Sequence, residues 1–169
     1  LAHPGTLPEL DEDGPPPRLE AQGGLGLGAR GELRPVEEHN RLDDLGLGAG
    51  LHQHTGTAVE SRDETYAIME AANTRHLKFA PDVGQLQKGG ANAAQVVKDF
   101  LPITVHMHLK DFSGGEHFAG YCPLGQGKVD LKAILDMVEG ANTNANVMVE
   151  LDGSPKQPLT PLETAQISK

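Results

Sequence analysis

Between residues 103 and 110 the chain reads ITVHMHLK, with an aliphatic residue at every second position and Thr, His, His and Lys in between. Successive side chains of an extended chain point to opposite faces. Ile103, Val105, Met107 and Leu109 therefore share one face of a strand, and Thr104, His106, His108 and Lys110 share the other. A β/α barrel strand needs this division, with aliphatic groups under helices and functional groups inside near the strand's C-terminal end. The same alternation also fits a half-exposed strand of an antiparallel sheet, its histidines toward water. The flanking segments have helical rather than hairpin character, which favours the barrel.

Strand signals recur at 50–54, at 76–80 ahead of Pro81-Asp82, and at 147–152. Helical segments alternate with them. One opens at Ser61-Arg-Asp-Glu64, a capping-box pattern; others cover 92–100, follow Asp130, and cover 160–168. This order predicts parallel βαβ units. Gly84, Gly89 and Gly90 are expected in a loop, at the wrong spacing for a dinucleotide-binding turn. With 169 residues, against about 250 for a complete barrel, the expected fold is α/β: a partial (β/α)8 TIM barrel of about the last four β/α units. Residues 44–169 would form it. Residues 1–43, with PELDEDGPPPRLE and AQGGLGLGARGELRP, carry no sustained period except a short helix expected at 36–45. The first segment is expected to be irregular and in part disordered.

A formal net charge of −10 and scattered basic residues argue against nucleic acid as a partner. No window approaches the ~20 apolar residues of a membrane-spanning helix, and no apolar run follows a basic stretch as in a secretory leader. Cys122 is the single cysteine, which excludes an intramolecular disulfide framework and fits a cytoplasmic location.

The last strand repeats the division of faces, Val147, Val149 and Leu151 alternating with Met148, Glu150 and Asp152. A carboxylate such as Glu150 within an apolar strand is costly to bury unless it is paired or bound to metal. His52 and His54 share a face of the first strand, and Asp82 follows Ala80-Pro81 at the end of the second. Each has an ordinary reading alone, as a core histidine or a capping aspartate. Together, four consecutive strands each deliver a His, Asp or Glu near the C-terminal end. Two imidazoles and two carboxylates suit Mn²⁺, Co²⁺, Zn²⁺ or Fe²⁺ better than a thiolate-seeking metal.

LHQHTGT, then VES, APDVGQL, VHMHLKDF, PLGQGKVD and MVELD occur in the order found in the xylose isomerase-like TIM-barrel superfamily, which this chain resembles over its C-terminal half. That group includes sugar phosphate isomerases and epimerases, inosose dehydratases, ketose 3-epimerases and hydroxypyruvate isomerases. The resemblance implies one divalent metal ion, Mn²⁺ first, with Co²⁺, Zn²⁺, Fe²⁺ or Mg²⁺ as alternatives. It implies the ligands Asp82, His108 and Glu150, with His54 where ketose epimerases carry a glutamate. Gln85 stands where many members have a histidine that contacts substrate, and glutamine cannot shuttle a proton near pH 7. The expected chemistry is proton transfer beside a carbonyl through a metal-bound enediolate, Glu150 removing the proton and Lys110 stabilising the oxygen. His52, Glu60, Gln85 and Asp111 are expected to bind substrate or fix its surroundings, and the substrate would be a small polyol or sugar. The alternatives are an inosose dehydratase-like lyase, and an inert half barrel whose open strand edges favour homo-oligomers.

Overall fold

The computed structural model describes residues 45–115, 119–141, 143–153 and 157–169, together with the strand backbones of residues 25–27 and 33–35. Those two strands, β1 (Leu25–Leu27) and β2 (Leu33–Pro35), pair antiparallel within the segment expected to be irregular. The helix expected at 36–45 falls almost wholly outside the described residues.

From β3 (Ala49–Leu51) onward the chain alternates strand and helix. Helix α1 (Arg62–Ala71) follows β3 and is opened by the expected capping box: Ser61 Oγ accepts from the Glu64 amide and Glu64 Oε2 accepts from the Ser61 amide. This satisfies two amides that would otherwise lack partners. Strand β4 (Leu77–Phe79) leads to α2 (Val83–Lys88) and α3 (Ala93–Phe100), the latter capped by Asn92. Strand β5 (His106–Leu109) is followed by a small antiparallel hairpin, β6 (Asp111–Phe112) and β7 (Tyr121–Cys122). Helix α4 (Leu131–Gly140) starts at Asp130, whose side chain accepts from the Ala133 amide. After β8 (Asn146–Val149) comes α5 (Pro161–Ile167), with a Thr160/Glu163 capping box and Pro161 in its first turn, where no amide is needed.

Strands β3, β4, β5 and β8 make one parallel arc. β3 pairs with β4 in the register Ala49↔Leu77 to Leu51↔Phe79, and β5 with β8 in the register His106↔Asn146 to Leu109↔Val149. Parallel bridges Phe79↔Thr104 and Asp82↔His108 join β4 to β5. The arc is therefore four consecutive β/α units of a barrel, left open. Its core lies between sheet and helices, where Phe79, Met107 and Leu109 meet Leu86, Val96, Val97 and Ile134. Gly50 lets the first two strands approach closely, since a Cβ there would lie 2.8 Å from that of Ala80.

Three local expectations need correction. The segment 83–88 is helix, not loop. At six residues it is too short to show a 3.6 period, and the Asp82 cap starts it. The third strand begins at His106 rather than Ile103, because Leu101–Ile103 continues α3 as a 3-10 turn containing Pro102. On β8, Val147, Met148 and Val149 are all exposed, so its aliphatic face is not under a helix. Among the described residues β8 pairs only with β5, leaving one edge free. No helix among the described residues is long and apolar enough to cross a membrane.

Candidate active site

The C-terminal ends of the four parallel strands bring the functional side chains together. His52 lies one residue beyond β3, Asp82 beyond β4, His108 within β5, and Glu150 one residue beyond β8. One ligand-capable atom each from His52, Asp82 and His108 lie within 4.8 Å of one another. The second-strand aspartate has two jobs. Its Oδ1 accepts from the Gln85 amide at 3.0 Å and caps α2, while Oδ2 is left to face the cluster. Gln53 holds the Asp82 carbonyl from behind at 2.8 Å. The His52 Nδ1 lies 3.0 Å from the Ala80 carbonyl. With the proton on Nδ1 donated there, Nε2 keeps its lone pair, the arrangement that orients a ligating imidazole.

Glu150 completes the group. Its Oε2 is 2.5 Å from His108 Nδ1 and 2.9 Å from Lys110 Nζ. Burial works to raise the Glu150 pKa, but the adjacent Lys110 ammonium, aided by His108, lowers it below the ordinary carboxylate value. Asp82 Oδ2, His108 Nδ1 and Glu150 Oε2 are buried and in ion-pair contact, yet none has a hydrogen bond of good geometry. Buried polar atoms are normally hydrogen-bonded. Three that converge without such a bond match the donor set of a metal site.

Lys110 is 1% exposed and sits under this cluster. Its Nζ reaches Asp82 Oδ2 at 2.6 Å, Asp152 Oδ2 at 2.8 Å and Glu150 Oε2 at 2.9 Å. Burial opposes its charge, but Asp82, then Asp152 and Glu150, outweigh it and hold its pKa above lysine's ordinary value. The stem runs over Gly84, where a Cβ would come within 2.7 Å of Lys110 Cγ. That glycine makes room for the lysine. Tyr121 lies with its ring 5.1 Å from Nζ, and burial raises its pKa to about 12.

Several residues expected at the site lie elsewhere. His54 is expected as the first-strand ligand, but β3 ends at Leu51 and the turn at Thr55-Gly56 carries its ring aside. Its Nδ1 meets the Thr55 carbonyl at 2.9 Å and its Nε2 meets Gln85 Nε2 at 2.8 Å. His52 takes the place next to Asp82 and His108. Gln85, expected to orient a substrate hydroxyl, is fully buried and committed internally: Oε1 accepts from the Thr55 amide and hydroxyl, and Nε2 contacts His54 and Asp152. Glu60 Oε2 is held by the Gly56 amide at 2.6 Å and closes the turn after His54. Asp111, expected beside substrate, is bound to backbone instead. It is 1% exposed and its two oxygens accept from the amides of Phe112, Gly125, Gly127 and Val129. This pins the loop that reads PLGQGKV and explains its second glycine, where a Cβ would lie 2.0 Å from Asp111 Oδ1.

His106 stays beside the cluster, its ring 5.1 Å from that of His108. Burial lowers its pKa, with His108 and His52 adding to the effect. Asp152 was missed as a member of the charge cluster. Its signal was present, since period-2 alternation puts it on the face of Glu150. Tyr121 carried no such signal, because its approach depends on the β6–β7 hairpin.

A parallel β/α arc defines one half of a barrel, and the nitrogen and oxygen donors at its strand ends include a group that could hold a metal ion. The chain belongs to the xylose isomerase-like TIM barrel family, whose model matches residues 33–167. An inosose dehydratase of Clostridium botulinum (strain Alaska E43 / Type E3) is 25% identical over 145 residues, covering 75% of this chain and 48% of that protein. The chain thus spans about half the length of the curated relatives it matches. Among solved structures, a sugar phosphate isomerase/epimerase from Parabacteroides distasonis superposes with a TM-score of 0.57 at 17% identity, covering 75% of this chain and 44% of that one. The IOLI protein with a binding zinc atom gives a TM-score of 0.54 at 18% identity, covering 75% and 48%. At these identities the structures establish the fold.

Proposed function

We propose that this chain carries the metal-binding half of a sugar or sugar phosphate isomerase/epimerase site, working by proton transfer next to a carbonyl. The observation behind this reading is the convergence of His52, Asp82 and His108 at successive strand ends, with Glu150 against His108. His52, Asp82, His108 and Glu150 would hold one divalent ion. Charge supports the same reading: the three carboxylates Asp82, Glu150 and Asp152 against the one ammonium of Lys110 leave an excess of two negative charges. The mixed imidazole and carboxylate donors suit Mn²⁺, Co²⁺, Zn²⁺ or Fe²⁺, with Mn²⁺ first by family resemblance and Mg²⁺ a further alternative; a zinc ion is bound in one of the similar structures.

When bound, the ion would supply Lewis acidity toward adjacent oxygens of a polyol-type substrate. The chain's own groups do the rest. Glu150, whose pKa Lys110 and His108 lower, would accept a proton from carbon. Lys110 offers a fixed positive charge to developing negative charge. The Asp152–Gln85–His54 chain of contacts positions Lys110 from below.

The curated relatives favour a second reading, an inosose dehydratase-like lyase. Both reactions begin with loss of a proton beside a carbonyl and diverge in whether a β-hydroxyl leaves. Incubating the protein and Mn²⁺ with a panel of ketoses, ketose phosphates and inososes in deuterated water separates them. Solvent deuterium incorporated without water loss supports the isomerase, and an unsaturated product supports the lyase. No metal-dependent exchange on any substrate would sink both.

A further inference from the structure

The best-defined cation in the described site is the protein's own. Lys110 Nζ meets Asp82 Oδ2, Asp152 Oδ2 and Glu150 Oε2 within 2.9 Å. Two of those oxygens belong to residues that, on the reading above, ligate the metal. Only one, Asp152 Oδ2, accepts from it in good hydrogen-bond geometry. The lysine is built in rather than passing by. Its stem fills the space that Gly84 leaves open, its side chain is 1% exposed, and the Tyr121 ring closes one side.

We propose that the Lys110 ammonium is an internal counter-cation: it holds Asp82 and Glu150 together when no metal is bound, and competes with the metal for the same oxygens. The inference rests on the metal-site reading. Without a cation, three carboxylates sharing so small a space would repel one another. With the ammonium present the donor set is preassembled, and an arriving ion must share oxygens already neutralised in part. Asp152, which is not among the proposed ligands, is the anchor to which the ammonium can retreat.

The structure therefore assigns Lys110 a positioning role with an unusual signature: its removal weakens the metal-free fold yet strengthens metal binding. Removing a positive charge a few ångström from the ion removes a direct repulsion and frees its oxygens, so Kd for Mn²⁺ should fall at least about tenfold. The test uses wild type, Lys110→Met and Lys110→Gln, stripped with chelator. Calorimetric titration with Mn²⁺ alone and thermal unfolding with and without Mn²⁺ are the readouts. Support is a lower metal-free Tm, a Kd lower by tenfold or more, and a larger Tm gain from Mn²⁺ than in wild type. Unchanged or weaker Mn²⁺ binding in both variants, with wild type binding normally, overturns the inference and leaves the metal reading intact. Variants that fold only with Mn²⁺ support it, since the ion then takes the ammonium's place. Variants that fail to fold even with Mn²⁺ overturn it and make Lys110 a packing residue. Wild type that binds no Mn²⁺ refutes the metal reading, and the inference falls with it.

Discussion

Replacing Asp111 with alanine should be among the most damaging single changes in the molecule, although no ligand need touch it. Its carboxylate accepts from Phe112 at 2.8 Å, Gly127 at 2.8 Å, Gly125 at 3.0 Å and Val129 at 3.2 Å. The Phe112 and Val129 amides are buried with it, whereas those of Gly125 and Gly127 are partly open and can turn to water. Hydrogen bonds to a charged group are worth about 1.5–3 kcal/mol each, and a buried amide left without a partner costs a similar amount. Two such losses give a destabilisation of roughly 3–6 kcal/mol, with a smaller addition from the two amides that rehydrate. That is a large share of the 5–15 kcal/mol typical of a folded domain. Urea unfolding followed by far-ultraviolet circular dichroism is the assay, with limited proteolysis reporting on the loop 123–129. The midpoint should fall by about 2 M, taking a slope near 2 kcal/mol/M, and new cleavage should appear in the loop. Asp111→Asn should be intermediate, since it keeps one accepting oxygen and turns an amino group toward amides. A loss under about 1 kcal/mol for the alanine variant, with the loop still protected, would refute the reasoning. So would an Asn variant of unchanged stability that alters only KM.

His52→Ala should weaken Mn²⁺ binding by more than about a hundredfold, and His54→Ala by less, about ten- to a hundredfold being the scale of an outer positioning group; calorimetry ranks them, and the reverse order would restore His54 as the ligand. Burial first, and Asp99 second, raise the Tyr66 pKa, while burial raises that of Tyr121 to about 12. Because both phenols hold their protons more tightly folded than unfolded, their contribution to stability is intact below pH 10 and is lost as pH rises above it. An ultraviolet titration should show no phenolate in the folded protein near pH 10, and an ordinary tyrosine titration before unfolding would contradict their burial. The free edge of β8, with Val149 56% exposed, should drive concentration-dependent self-association. Light scattering should detect it, and Val149→Lys should reduce it; a monomer at all concentrations would refute it.

The parallel arc could be read from the chain because its evidence is local. Alternation around His108 and Glu150, and caps at Ser61 and Asp130, each depend on a few neighbouring residues. The strand ends that carry the candidate donors were legible. Which histidine lies beside Asp82 and His108 was not, because His52 and His54 share one face only while the chain stays extended, and the choice depends on where β3 stops. The internal bonds of Gln85 and Asp111 were hidden for a related reason. A polar residue beside a ligand motif looks the same in sequence whether it faces the cavity or ties down backbone. Asp111 serves amides 14 to 18 positions away, a relation that no periodicity encodes. The helix at Val83–Lys88 was hidden by its brevity and by Gly84, whose presence answers to Lys110 rather than to helix formation.

Because the oxygens of Asp82 are divided between starting a helix and facing the strand-end cluster, any inactive variant at that position has two explanations. Asparagine separates them. The amide can keep its carbonyl on the Gln85 nitrogen and preserve the start of the helix, while the opposite atom becomes an NH₂ that cannot grip a cation. An ion-blind Asp82→Asn protein that keeps the helix start, though not the Lys110 ion pair, would be a better inactive reference than an alanine at the same place.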